Sequence, residues 1–221
     1  MKSKIFCISM QRTATSSVGD FFENNGFSRV GHQISDRLEW SRKWHNGDYE
    51  AIFTDEHFIN AEILEDDPFW FPDFFKVIYH RFPNSKFVFL YRDSDAWFKS
   101  MISHSNGYSL GLTDIHAKIY NREKELFWLQ KNIPNFNCKK RQSMVLFDKA
   151  ADYKDCYEVF RDNVIDFFST KDPKRFFISN LNSSSLWDEL SSWASLPKGN
   201  ASEPHAHKTK QTMSQDNLLG K

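Results

Sequence analysis

Short apolar runs alternate along the chain with longer stretches whose apolar residues recur every third or fourth position. "KIFCISM" at 4–10 reads as a strand buried on both faces, an unbroken run rich in Ile and Phe. Residues 16–25 predict a helix with Val18, Phe21 and Phe22 on one face, stopped by Asn24, Asn25 and Gly26. "RVGHQI" predicts a brief second strand. "DRLEWSRKWHNG" predicts a polar helix closing at Gly47, and "YEAIFTDEHF" (49–58) a third strand ending in a charged cluster. "DPFWFPDFFKVIYHRFP" (67–83) has an Asp–Pro start, a Pro stop and aromatics at helical spacing. "SKFVFLYRD" (85–93) is the clearest strand; a helix follows, with Ser94 as N-cap and Trp97 and Met101 on one face. After a loop at 104–114 come two long helices, 115–132 and 148–169, joined by the polar "NIPNFNCKKRQ". "KRFFISNL" (174–181) reads as a last strand and "SSLWDELSSWASL" as a closing helix with a serine N-cap.

Strands alternating with helices predict an α/β fold of three layers, α/β/α, around a central parallel sheet. Residues 1–200 are expected to form one domain. Residues 201–221 are polar, without apolar period, and expected to be partly disordered. Ligands of such folds bind at the carboxyl ends of strands. Three polar clusters are expected there: Arg12 to Ser17, Asp55 to His57, and Arg92.

Composition narrows the partners. In 221 residues, Lys+Arg and Asp+Glu both number 29, so net charge gives no pull toward nucleic acid or a membrane surface. Anion binding must come from local placement. The 22 Phe and 7 Trp are expected mostly in the core. Cys7, Cys138 and Cys156 are few and widely spaced, which argues against a disulfide framework or a zinc knuckle; Cys7 reads as buried packing. The first residues run into Gln11 and Arg12 too soon for a signal peptide, and no apolar run reaches membrane-spanning length. A soluble, cytoplasmic protein is the expectation.

The chemistry gathers at "RTATSS". Arg12 offers a planar fork, Thr13, Thr15, Ser16 and Ser17 offer hydroxyls, and the start of the following helix offers free N–H groups. Together they suit a phosphate or sulfate. This is not the G-x-x-x-x-G-K-[ST] loop of nucleoside-triphosphate enzymes: it has no glycine and no lysine before the hydroxyl, and Ala14 holds the tightest place. Further on, Arg92 ends a strand and Ser100 lies eight residues later on a helix, where the two could converge on a second anion.

With both features in order, the chain resembles the sulfotransferases that use 3′-phosphoadenosine 5′-phosphosulfate (PAPS). "RTATS" at 12–16 matches the family's 5′-phosphosulfate loop, with Arg12 where many members have lysine and Ala14 in place of glycine. Arg92 and Ser100 match the pair that grips the 3′-phosphate. More narrowly, it is similar to a branch with an R-T-G-T loop, a strand ending in F-T-D and an R-D-x-x-x-W-x-x-S-M segment, matched by "FTD" at 53–55 and "RDSDAWFKSM" at 92–101. The likeness is close over 3–105 and weak at "FFISNL" and "EPHAHK".

The resemblance implies a P-loop-like sulfotransferase fold and PAPS as sulfuryl donor. It implies that Arg12, Thr13, Ala14, Thr15, Ser16, Ser17, Arg92 and Ser100 contact the nucleotide, and that a small-molecule or glycan hydroxyl (or amine) is the acceptor. Arg12 would neutralise charge on the leaving oxygen, and no metal is expected. Asp55 matches the family's acidic position and is the first candidate base. His57 has the intrinsic pKa better suited to neutral pH, and Glu56 would point away from both on a strand. His32 is a candidate border of the acceptor site, and His207 and Lys208 are candidate nucleotide contacts. A small-molecule or nucleotide kinase with an atypical loop, and a catalytically silent relative, stay open as alternatives.

Overall fold

Residues 4–10 alternate between two buried environments, and the sheet is built around them. In the computed structural model, which describes residues 3–109, 113–136 and 144–196, five parallel strands line up in the order β2-β3-β1-β4-β5. They are β1 (Ile5–Cys7), β2 (Arg29–Val30), β3 (Ile63–Leu64), β4 (Lys86–Tyr91) and β5 (Phe176–Asn180). The described helices are α1 (Thr15–Asn24), α2 (His32–Arg37), α3 (Trp40–His45), α4 (Glu50–Phe53), α5 (Glu56–Asn60), α6 (Phe74–Arg81), α7 (Ser94–Ser105), α8 (Thr113–Ile119), α9 (Glu123–Asn132), α10 (Ala150–Ser169) and α11 (Leu186–Ala194).

Because strand side chains alternate, each unbroken apolar run feeds two cores. Ile5, Cys7, Val88 and Leu90 pack with Val18, Phe21 and Phe22 of α1 and with Leu186 and Leu190 of α11. Phe6, Ile8, Phe87 and Phe89 face the other way, into a larger cluster holding Trp40, Phe58, Phe69, Phe74, Trp97, Tyr153 and Phe160. Phe6 alone lies 5.6–6.0 Å, ring to ring, from Phe58, Phe69, Phe82 and Phe87. The α/β/α layering expected from sequence is present. The chain leaves β1 toward β3 and β2, then returns to β4 on β1's other side, so the strand order reverses beside β1. The crevice of such a fold opens at that reversal.

Several elements differ from the sequence reading. Residues 49–58 are not a strand but α4 and α5, because Tyr49, Ile52 and Phe53 stand at i, i+3 and i+4 and pack on one side. Asp55 ends any extended reading by capping α5: its side chain accepts from the N–H of His57. The true third strand, two residues long, follows at Ile63–Leu64. The aromatic segment after Asp67 starts as turns around a cis Asp67–Pro68 bond, and its helix begins only at Phe74. Asp93, not Ser94, caps α7, accepting from the N–H of Ala96, while Ser94 donates to Glu158. The polar helix breaks at Glu39 (φ 54°) and the first long helix at Asn121 (φ 56°). Helix α7 runs to Ser105 where a loop was expected, and Ser185 at the start of α11 spends its hydroxyl on Glu189 rather than capping. The tail expected to be partly disordered lies outside the described residues. Among those described, no helix is long and apolar enough to cross a membrane.

One buried cation ties the base of the sheet together. Lys4 is 1% exposed, and its Nζ donates to the carbonyls of Phe58, Ile59 and Ala61 at 2.5, 3.0 and 2.6 Å. These groups close α5, where a cation also meets the negative end of the helix. Lys4→Met would leave buried carbonyls unpaired, and denaturant unfolding should show a loss of about 2–3 kcal/mol.

Candidate active site

The segment from Met10 to Ala14 turns sharply from β1 into α1. Arg12 (φ 68°) and Ala14 (φ 65°, ψ 31°) both take the left-handed conformation that L-residues adopt only under constraint. Thr13 is fully buried, and its N–H and hydroxyl both donate to the Met10 carbonyl, at 3.2 and 2.5 Å. That hydroxyl therefore tightens the turn. The Gln11 side chain donates to the Tyr120 hydroxyl at 2.9 Å, and the Gln11 carbonyl accepts from the Trp97 indole at 2.9 Å. The turn is thus anchored to α7 and to the end of α8.

The helix it opens is bare at its positive end. Ala14 has no side chain to cap α1, and no acidic residue stands in the first turn. The first N–H groups of a helix have no partner within it and attract negative charge. Here they belong to the segment Ala14 to Ser17, with Ser16 partly exposed and Thr15 and Ser17 buried.

Arg92 stands at the tip of β4, next to this loop. Its Nη1 donates to the Arg12 carbonyl at 3.4 Å, and Arg12 Nε donates to Ser100 Oγ of α7 at 3.2 Å. The structure therefore brings Arg12, Arg92 and Ser100 together, with Ser100 bonded to the first arginine rather than the second. Burial, then the charge of Arg92, pull the Arg12 guanidinium below its ordinary pKa, against the opposing charge of Asp66. The Tyr157 hydroxyl fixes the strand tip by accepting from the Arg92 N–H at 2.9 Å and donating to its carbonyl at 3.0 Å. Arg92 Nε is buried and has no hydrogen-bond partner.

The acidic side of the crevice is Glu65, Asp66 and Asp67 at the end of β3, a group absent from the sequence reading. The signal was present: "EDDP" directly follows the apolar "IL". Thr15 Oγ1 donates to Asp66 Oδ2 at 3.2 Å, joining the anion loop to this carboxylate. Burial, reinforced by the charge of Asp67, pushes the Asp66 carboxyl up to about 6. Burial likewise raises Glu65 to about 7, outweighing its ion pair with Arg29 at 2.8 Å.

Asp55 and His57 form a separate pair. Asp55 Oδ1 accepts from the His57 N–H and lies 3.1 Å from His57 Nδ1, while His57 Nε2 lies 3.3 Å from Arg37 of α2. Glu56 and His57 line a cleft of about 220 Å³ beside β2, together with Ser28, Arg29 and Ile34. The expected alternation along a strand does not apply, since these residues cap and begin a helix. His32 opens α2 at the tip of β2 and lies beside Asp66 and Asp67. Cys7 is buried packing, its thiol pushed up to about 12 by burial. Cys138, His207 and Lys208 lie outside the described residues.

Two arginines, one at the tip of β4 and one in the loop after β1, thus stand beside an uncapped helix start in an α/β/α fold. The family model of the sulfotransferase domain matches residues 4–212. This chain belongs to the sulfotransferase domain family. A solved sulfotransferase domain from the curacin biosynthetic pathway aligns with a TM-score of 0.46 and 11% identity, over 95% of this chain and 80% of that one. A search of the curated proteins finds no match. Within this sulfotransferase chain, Ala14 stands where backbone geometry favours glycine. Replacing it relieves roughly 1–2 kcal/mol of left-handed strain, set against about 0.4–1 kcal/mol of added unfolded-state entropy. Ala14→Gly should therefore stabilise the protein by about 0.5–1 kcal/mol in urea unfolding.

Proposed function

We propose that the protein transfers a sulfuryl group from PAPS to a hydroxyl or amine of a small-molecule or glycan acceptor. The observation that carries this reading is Arg92 Nε, a buried donor without a partner beside a second guanidinium and an uncapped helix start. Such a donor costs about 1–3 kcal/mol while unpaired, and an anionic ligand offsets that cost. A nucleotide with charge at both its 5′ and 3′ ends fits two cationic clamps set at neighbouring strand tips.

When bound, the donor supplies a sulfuryl group that passes in line from a phosphate oxygen to the acceptor. The protein's part in such a transfer is positioning and charge neutralisation. Arg12, the N–H groups opening α1 and the Ser16 and Ser17 hydroxyls surround the 5′ end and stabilise the leaving oxygen, while the Thr15 hydroxyl is given to Asp66. Arg92 and Ser100 hold the 3′-phosphate. The Thr13 hydroxyl keeps the turn closed from behind. Asp66, rather than Asp55 or His57, receives the acceptor's proton: it touches the loop through Thr15, and its raised pKa brings it nearer neutrality, as a base requires. A kinase reading draws on the same Thr15–Asp66 bond, since P-loop enzymes pair a loop hydroxyl with a strand-end aspartate. The missing loop lysine weighs against it.

Calorimetry separates these readings. Adenosine 3′,5′-bisphosphate should bind and ATP should not, with Arg92→Ala weakening the bisphosphate roughly 10–100-fold through loss of charge-assisted hydrogen bonds. Stronger binding of ATP would transfer the assignment to a kinase. In a labelled-sulfate assay, Asp66→Asn should lower turnover by about 10²–10⁴ while leaving bisphosphate affinity intact. Asp55→Asn, which keeps the cap on α5, should stay near wild type; the larger loss at Asp55 would return the base role to the Asp55–His57 pair.

A further inference from the structure

The chain's balanced charge conceals a local imbalance that the sulfotransfer reading leaves unused. Between Tyr108 and Phe147 the sequence carries seven basic and three acidic residues, against 29 of each in the whole chain. Exposed apolar side chains gather in the same stretch. Among the described residues nine large apolar side chains are exposed, and six of them, Tyr108, Phe127, Trp128, Ile133, Val145 and Phe147, fall there. Single exposed apolar residues are ordinary on a folded protein, whereas a concentration of them marks a contact surface.

Helix α9 shows how the surface is built. Its inner face is buried: Leu126 packs among Ala117 of α8, Met144 and the half-buried Leu129. At the helix start the buried Arg122 guanidinium donates to Glu125 and to the Tyr153 hydroxyl of α10, which fixes α9 to the body of the fold. The opposite face carries Lys124, Phe127, Trp128 and Lys131, at i, i+3, i+4 and i+7, all exposed. Phe127 is 66% and Trp128 58% exposed, and neither ring meets another ring among the described residues. Glu125 is taken by Arg122, and Glu123 lies in the first turn, where negative charge meets the positive end of the helix. The outer line of α9 is therefore two aromatic rings bracketed by two lysines.

We propose that this outer face of α9 docks the protein on the surface of an anionic lipid bilayer. Trp and Phe settle at the headgroup level of a membrane, and neighbouring lysines reach the lipid anions while their stems lie along the apolar layer. Each lysine held near an anionic leaflet strengthens the attachment. The shape agrees, since the outer face of a helix is a convex ridge and small-molecule sites are concave. A second copy of this chain fits less well, because a two-fold contact through α9 sets Lys124 and Lys131 of one copy against the lysines of the other. The attachment is peripheral: among the described residues no helix is long and apolar enough to cross a membrane. It stands independently of the sulfotransfer reading.

Flotation of the full chain with vesicles of phosphatidylcholine, alone or mixed with phosphatidylserine, tests the surface. The protein should float with the mixed vesicles at low ionic strength, bind the neutral ones about tenfold more weakly, and be released by salt. The double variants Lys124→Gln, Lys131→Gln and Phe127→Ser, Trp128→Ser should each lose about tenfold in affinity for the mixed vesicles. All four side chains are exposed, so both variants should fold, which circular dichroism checks. Val159→Ser, 61% exposed on α10 outside the stretch, should bind as wild type. No flotation with mixed vesicles, equal binding to neutral ones, or undiminished binding by the folded Phe127→Ser, Trp128→Ser protein each overturns the proposal. So does dimerisation in analytical ultracentrifugation that the aromatic variant abolishes, without vesicle binding; the face is then a contact between copies.

Discussion

Arg12 and Arg92 repel one another, and the packing around β1 holds them together. Burial and the charge of Arg92 both disfavour the charged Arg12 guanidinium. Nothing in the pair itself offsets such a cost. It is met from behind: the Trp97 indole bonds to the Gln11 carbonyl, Gln11 to Tyr120, and Tyr157 to both main-chain groups of Arg92. Trp97 stacks on Tyr157 and Tyr120 on Tyr153, so these anchors belong to one aromatic block joining α7, α8 and α10. The large Phe/Trp/Tyr core therefore supports the paired arginines as well as the fold's stability.

Where the sequence was legible, the information was local. The long apolar run of β4 ends directly at Arg92, and the apolar run that holds β1 stops at Met10, two residues before Arg12, so the placement of both arginines beside the sheet could be read from stretches of under twenty residues. The parallel sheet followed from the same alternation. β3 was not legible because its two-residue ladder has no period to detect, and its partners β1 and β2 lie more than thirty residues away in sequence. The same shortness hid Asp66, whose bond to Thr15 spans 51 positions. Asp55 drew attention instead because a carboxylate that caps a helix and one that ends a strand look alike in a linear reading; only the i, i+3, i+4 spacing of Tyr49, Ile52 and Phe53 separates them.

The loop's missing glycine has a related explanation. Ala14 adopts the conformation a glycine would, so the turn is imposed by its surroundings rather than by the residue. Thr13 closes it onto Met10 and Val18 continues it by bonding to the Ala14 carbonyl at 3.0 Å. Ala14 therefore carries a left-handed strain that a glycine in the same turn would not.

The acidic side is coupled to that loop by a thread of close contacts. Arg29, on edge strand β2, reaches over α1 to pair with Asp20, Glu23 and Glu65, and also donates to the Ser16 carbonyl at 3.4 Å. It passes where only glycines leave room: a Cβ on Gly19 would come within 2.4 Å of Arg29 Nε, and one on Gly31 within 2.2 Å of Glu65 Oε1. One guanidinium thus links α1 to Glu65, the residue that precedes Asp66. The arginine loop and the acidic tip of β3 are thereby held in a fixed relation, which the sulfuryl transfer we propose would demand of groups contributed by different strands.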